Sequence, residues 1–157
     1  MKSRGISEQS QNKVIVYTDG GSRGNPGPAG IGVVVANEKG EFIKKYSKEI
    51  GIRTNNEAEY EAVIFALQKL KQLFGKNKTK DLDVEFKMDS QLVARQLGGK
   101  YKIEEEKLFP LFIKIWNLKM NFGSISFIEI PRKKNKEADK LANEAMDAQK
   151  ENPKFDF

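Results

Sequence analysis

Val14-Ile15-Val16-Tyr17-Thr18-Asp19-Gly20-Gly21-Ser22-Arg23-Gly24-Asn25-Pro26-Gly27-Pro28-Ala29-Gly30-Ile31-Gly32-Val33-Val34-Val35-Ala36 is the stretch from which the fold can be read. Val14 to Tyr17 is a β-rich run that ends at Asp19, Gly20 to Gly30 reads as a Gly/Pro loop, and Ile31 to Ala36 is β-branched and apolar. Downstream, Glu38 to Gly40 reads as a hairpin turn and Glu41 to Ile50 as a third strand, which predicts three antiparallel strands. Thr54 or Asn55 then caps a helix whose Val63, Leu67, Leu70 and Phe74 share one face.

The second half alternates. Lys76 to Asp81 is a charged loop, Leu82 to Met88 a short strand closed by Asp89, and Ser90 to Leu97 a helix ended by Gly98-Gly99. Leu108, Leu111, Phe112, Ile115, Leu118 and Phe122 trace the apolar face of another helix, with Pro110 tolerable near its start. Ile125 to Ile130 is a last strand, Pro131 to Lys136 a basic loop, and Ala138, Leu141, Ala142 and Ala145 a helical stripe beside Asp139. The order β-β-β-α-β-α-α-β-α predicts one mixed-sheet α/β domain. Residues 1–12 form a polar tail expected to be disordered, residues 13–148 the domain, and residues 149–157 a flexible tail.

A chain of 157 residues buries a core without disulfides. Cysteine and histidine are both absent, which excludes thiolate nucleophiles, Cys- or His-based zinc sites and Ser-His-Asp catalysis. Any bound metal must take oxygen ligands, which favours Mg²⁺ or Mn²⁺ over Zn²⁺. The lack of cysteine also fits a reducing cytoplasm, and no apolar run is long enough to cross a membrane. The net charge is +6, from 28 basic and 22 acidic side chains, and it rises to +10 when the four acids named below are set aside, so a basic surface surrounds them, which suits a polyanion.

Those four acids lie in separate segments: Asp19, Glu59 after Thr54-Asn55-Asn56, Asp89 before Ser90-Gln91, and Asp139 after Asn135. Taken singly, each has an ordinary explanation, as a turn aspartate or a first-turn acid favoured by a helix dipole. Taken together they form a candidate divalent-metal site, because scattered carboxylates that meet in a fold repel unless a cation lies between them. Glu57 and Glu61 flank Glu59 and dilute its signal. The loop Gly20 to Gly30 lacks Gly-Lys-Ser/Thr and leads into β-branched residues, so it is neither a P-loop nor a dinucleotide-binding turn. It remains a hairpin connection whose glycines let a sugar-phosphate backbone approach, or a rigid turn with no ligand.

The motifs around Asp19-Gly20-Gly21-Ser22, Gly24-Asn25-Pro26-Gly27-Pro28, Thr54-Asn55-Asn56 with Ala58-Glu59-Tyr60, Asp89-Ser90-Gln91, and Asn135 with Ala138-Asp139 and Leu141-Ala142 resemble, in order and spacing, type 1 ribonuclease H. The resemblance runs from about Val14 to Met146. It implies the ribonuclease H fold, a five-stranded mixed sheet of three antiparallel strands with parallel additions, flanked by about four helices. It also implies endonucleolytic hydrolysis of the RNA strand of RNA/DNA hybrids. Asp19, Glu59, Asp89 and Asp139 become the catalytic acids and metal ligands. Gly20, Asn55 and Gln91 stand where the family contacts the RNA strand, Asn25 and Thr54 where it contacts the DNA strand, and Asn135 near the DNA backbone. Two Mg²⁺ ions, with Mn²⁺ as a substitute, are expected about 4 Å apart, one activating water and one stabilising the leaving 3′-oxygen. The products then carry 5′-phosphate and 3′-hydroxyl ends.

This chain departs from the family twice. Many bacterial members place a mobile histidine before the last helix, where this chain has Glu129, so proton handling falls to Glu129 or to water on the metal. The basic helical handle of some members is replaced by Gly98-Gly99-Lys100-Tyr101-Lys102, leaving Lys100, Lys102 and the Arg132-Lys133-Lys134-Lys136 cluster to grip substrate, or to act as an ordinary solvated surface. The rival readings are a hybrid-binding protein with a weak site and another nuclease of the same fold. The expected assembly is a monomer. Gln149 followed by Phe155 bears a weak likeness to a sliding-clamp docking peptide, set against a tail that is frayed or folded back, because Asn152 and Pro153 replace the apolar residue between them.

Overall fold

Alternation of Val14 and Val16 with Ile15 and Tyr17 sends two sets of side chains to opposite faces of one strand, and both faces are covered. In the computed structural model, which describes residues 12–151, that strand is β1 (Lys13–Ser22). It is the centre of a five-stranded sheet of order β3-β2-β1-β4-β5. Strand β2 (Gly27–Asn37) pairs antiparallel with β1 and with β3 (Phe42–Arg53), while β4 (Asp83–Met88) lies parallel to β1 and to β5 (Ser124–Glu129).

On one face Val14, Val16, Val33, Val35, Val84 and Phe86 pack against helix α1 (Asn55–Phe74) through Tyr60, Val63, Leu67 and Leu70. Helices α2 (Gln91–Leu97) and α3 (Phe109–Lys119) complete this layer with Leu97 and Ile115, together with Leu108 from the 3₁₀ turn that leads into α3. On the other face helix α4 (Lys136–Glu151) lies across β1, β2 and β3. It sits there because Gly30 and Gly32 have no side chains. A Cβ on Gly32 would stand 2.1 Å from the Ala138 carbonyl oxygen, and one on Gly30 would stand 2.6 Å from the Ala145 Cβ.

Several boundaries differ from the sequence expectation. Strand β1 continues through Asp19 to Ser22, and β2 begins at Gly27, so only Arg23 to Pro26 form the turn. Glycine has little β preference, but here the ladder Asp19–Gly32, Gly20–Ile31, Gly21–Gly30 and Ser22–Ala29 supplies it, and two helices require the missing side chains. Asp19 therefore lies within a strand, whereas Asp89 does follow the last residue of β4. The expected charged loop after α1 holds a single helical turn, Lys76–Thr79, fastened by the buried Thr79, whose hydroxyl donates to the Lys76 carbonyl at 3.0 Å. Helix α4 runs through Glu151, so residues 149–151 extend it. The proposed clamp-docking residues beyond Glu151 lie outside the described residues. Pro110 sits in the first turn of α3, where its missing N–H costs nothing. No helix among the described residues is long and apolar enough to cross a membrane.

Candidate active site

Parallel pairing of β1 with β4 sets Tyr17 beside Lys87, so two residues further along each strand Asp19 and Asp89 emerge side by side. Glu59 reaches them from α1. Thr54 caps that helix in a reciprocal box: its hydroxyl accepts from the Glu57 N–H at 3.1 Å, and the Glu57 carboxylate accepts from the Thr54 N–H at 2.8 Å. Glu57 is thus consumed by the cap, and Glu59, two residues on, is left for the site. Gly20 permits the approach, since a Cβ there would lie 2.4 Å from the Ala58 carbonyl oxygen.

Oxygens of Asp19, Glu59 and Asp89 all fall within 4.8 Å of one another. Asp139, in the first turn of α4, stands on the wall of the same cleft, outside that three-acid cluster. All four line one cleft of about 630 Å³, with Arg23 and Arg132 among its walls.

Burial, then the charges of Asp89 and Asp139, push the Asp19 carboxyl up to about 8. Burial, then Asp19 and Asp89, push Glu59 well above the ordinary carboxylate range, against the pull of the Gly20 N–H and Arg132. Glu59 Oε1 is buried and has no hydrogen-bond partner among the described residues. An orphaned carboxylate oxygen facing two further carboxylates is costly unless a cation meets it. The donors are all hard oxygens, so the residues fit a divalent ion of the Mg²⁺ type.

The remaining sequence-selected residues divide into two groups. Asn25, Thr54 and Asn55 lock the hairpin turn to the start of α1. Asn25 Oδ1 accepts from the Asn55 N–H at 2.9 Å, and Asn55 Oδ1 accepts from the Ser22 N–H at 2.9 Å. Gly20 and Asn55 line the cleft, while Gln91, exposed at the start of α2, stands next to the Arg95 guanidinium. Asn135 is brought elsewhere. It is 1% exposed, and its Nδ2 donates to the Thr18 carbonyl at 2.9 Å, inside the wall behind Asp19.

Sequence reasoning passed over Arg23 and Asn143, which shape the fourth acid. Asn143 Nδ2 donates to Asp139 Oδ1 at 3.2 Å, and Arg23 Nη2 donates to Asn143 Oδ1 at 3.1 Å and to Asp147 Oδ1 at 2.7 Å. The available signal was spacing: Asn143 follows Asp139 by four residues on one helix. Arg132 Nε lies 3.8 Å from Asp89 Oδ2. Glu129 stays outside the cleft, closing β5 and facing Arg95 at 3.4 Å.

The reverse transcriptase-like family profile matches residues 17–145. A bifunctional protein of Mycobacterium tuberculosis is 40% identical over 137 residues, covering 87% of this chain and 36% of that protein. Ribonuclease HI of Halobacterium salinarum is 40% identical over 135 residues, covering 86% of this chain and 65% of that protein. The chain thus spans from about a third to just under two thirds of the length of these curated relatives. Among solved structures, LC11-RNase H1 isolated from compost is 51% identical with a TM-score of 0.82, covering 87% of this chain and 97% of that one. LC11-RNase H1 has also been solved in complex with an RNA/DNA hybrid, and this chain matches that structure with a TM-score of 0.81 over 86% of its own length and 97% of the other's. With its fold, its convergent acids and these matches in agreement, the chain belongs to the ribonuclease H family, on the type 1 branch.

Proposed function

We propose that this protein is an endonuclease that hydrolyses the RNA strand of RNA/DNA hybrids, leaving 5′-phosphate and 3′-hydroxyl ends. The observation that carries the reading is the convergence of Asp19, Glu59, Asp89 and Asp139 in one cleft, with a buried Glu59 oxygen that has no hydrogen-bond partner among the described residues. The hybrid-bound relative supports the substrate class.

In this reading the four acids hold two Mg²⁺ ions, for which Mn²⁺ substitutes. When bound, such ions supply Lewis-acid chemistry: activation of water and stabilisation of the leaving oxygen. The chain's own residues do the rest. Gly20 leaves the floor of the cleft open to a backbone, and Asn55 offers its side chain at the rim. Asn55 and Gln91 read the RNA strand, whose 2′-hydroxyl is the group that separates RNA from DNA. Thr54 and Asn25 face the DNA strand and hold the rim rigid through the cap and the Asn25–Asn55 bond. Arg23 and Arg132 bring positive charge to the scissile phosphate's surroundings. Asn135 acts from behind, on the strand that carries Asp19. The catalytic unit in this reading is residues 13–148, working as a monomer in the cytoplasm.

The test is hydrolysis of defined substrates of one sequence, an RNA/DNA hybrid, an RNA duplex and a DNA duplex, with Mg²⁺ and with Mn²⁺, and end-group analysis of the products. Cleavage confined to the RNA strand of the hybrid, with 5′-phosphate ends, is the expected result. A protein that binds the hybrid without cutting it under either ion would instead be a binding module.

A further inference from the structure

Beside the carboxylate cleft lies a separate concavity of about 250 Å³, walled by Tyr17, Phe42, Lys133, Lys134 and Lys136. Its one acid, Glu137, is already paired to Lys45 at 3.1 Å. Tyr17 and Asp19 project from the same face of β1, two residues or about 7 Å apart. The short 3₁₀ turn Arg132–Lys134 separates the two hollows, with Arg132 lining the cleft and the two lysines lining its neighbour. A strand whose phosphate sits at Asp19 therefore meets this hollow within about two nucleotides, at roughly 3.4 Å of rise each.

A lone exposed phenylalanine is ordinary. Here Phe42 is 52% exposed and shares its hollow with a second aromatic ring and three lysines, and Lys45 and Lys87 stand 5.0 and 5.8 Å from the Phe42 and Tyr17 ring centroids. Aromatic faces set among ammonium groups are the pattern that takes unpaired bases and their phosphates together. A duplex does not use it, since its bases are already stacked on one another.

We propose that this hollow binds a single-stranded extension of the strand being cut, with a base stacked on Phe42 and phosphates against Lys133, Lys134 and Lys136. The inference rests on the hybrid-hydrolysis reading and adds a preferred substrate class, hybrids that carry an unpaired tail.

Steady-state hydrolysis with Mg²⁺ tests it. A blunt hybrid is compared with hybrids whose RNA strand is extended at the 5′ or the 3′ end by six unpaired deoxynucleotides, and with the same extensions made abasic. One extension should lower KM about tenfold, the equivalent of one stacked base, with kcat unchanged. The abasic extension should lose most of that gain. Phe42→Ala should cut the blunt hybrid as the parent does but show no gain from the tail, and Phe42→Trp should keep the gain. If the blunt hybrid is cut but neither extension lowers KM, or if the gain survives in Phe42→Ala or without bases, the tail site is refuted while hybrid hydrolysis stands. Failure to cut any hybrid refutes the hybrid reading itself.

Discussion

Asn135 donates its side-chain amide to the main-chain carbonyl of Thr18, 2.9 Å away, and so ties the turn before α4 to the residue that precedes Asp19. The bond is buried, and the Asn135 Oδ1 atom has no partner of its own among the described residues. Replacing Asn135 by Ala would leave the Thr18 carbonyl unsatisfied, at a cost of about 1–3 kcal/mol. Asn135→Ala should therefore lower the melting temperature and also kcat, because β1 is freed at Asp19. Chemical denaturation and hybrid hydrolysis measure the two effects. A variant as stable as the parent but weaker in hybrid binding would restore Asn135 to the nucleic-acid surface.

Neutralising Glu59 and Glu57 should give opposite results. Glu59→Gln removes a carboxylate from the cluster and should abolish hydrolysis, as should Asp19→Asn and Asp89→Asn. Glu57→Gln keeps a residue able to close the capping box and should change activity by less than a few-fold. Equal losses in rate assays would mean that the helix presents a different glutamate to the site.

The metal-free protein should lose stability as pH rises from about 4 to about 8. Asp19 has its carboxyl raised from 3.8 to about 8 by burial and by Asp89 and Asp139, and Glu59 is raised in the same direction. An acid with a folded-state pKa above its unfolded value keeps its proton in the fold and releases it on unfolding, so rising pH favours the unfolded chain across that window. Above it the full penalty of the ionised cluster is present. Saturating Mg²⁺ should remove most of the slope by taking the proton's place, and Asp19→Asn should reduce it. Urea denaturation at pH 5 and pH 8.5, in chelator and in Mg²⁺, checks the sign; equal stability at both pH values in chelator would contradict it.

Much of this is legible in the sequence, because the acids sit where strand and helix patterns change, and a strand-ending Asp89 or a cap-following Glu59 is visible as such. What escaped were consequences of packing. Nothing local says that Gly20 and Gly30 belong to strands, since their use is to let α1 and α4 come close. Likewise, Asn135 and Asn143 are both asparagines near Asp139, and only the fold shows that the first faces β1 and the second faces the carboxylate.

Asn143→Ala tests that second asparagine. Its amide holds Asp139 Oδ1, and Arg23 holds its oxygen in turn, so the orientation of the fourth acid depends on a residue from the hairpin turn. Loss of such a supporting partner commonly costs 10–100-fold in activity or metal affinity. The expected outcome is a fall of that order in kcat with hybrid affinity preserved, together with weaker Mn²⁺ binding by titration calorimetry. Unchanged kcat would leave Asp139 oriented by the helix alone.

Glu129 stands where the family resemblance implies a histidine, yet its surroundings point away from catalysis. It pairs with Met88 in the parallel ladder, lies 3.4 Å from Arg95, and lines a hollow shared with Lys100 and Lys119 instead of the carboxylate cleft. Both partners of that ion pair are more than a third exposed, so the pair is worth no more than about 1 kcal/mol. Glu129→Ala and Glu129→His should therefore match the parent in single and multiple turnover. The chain holds no histidine, so no imidazole-like limb should cross the parent's pH–rate profile near neutrality. If Glu129→His raised the multiple-turnover rate and introduced such a limb, the position would serve proton transfer or product release, and the exposed ion pair seen here would be its resting arrangement.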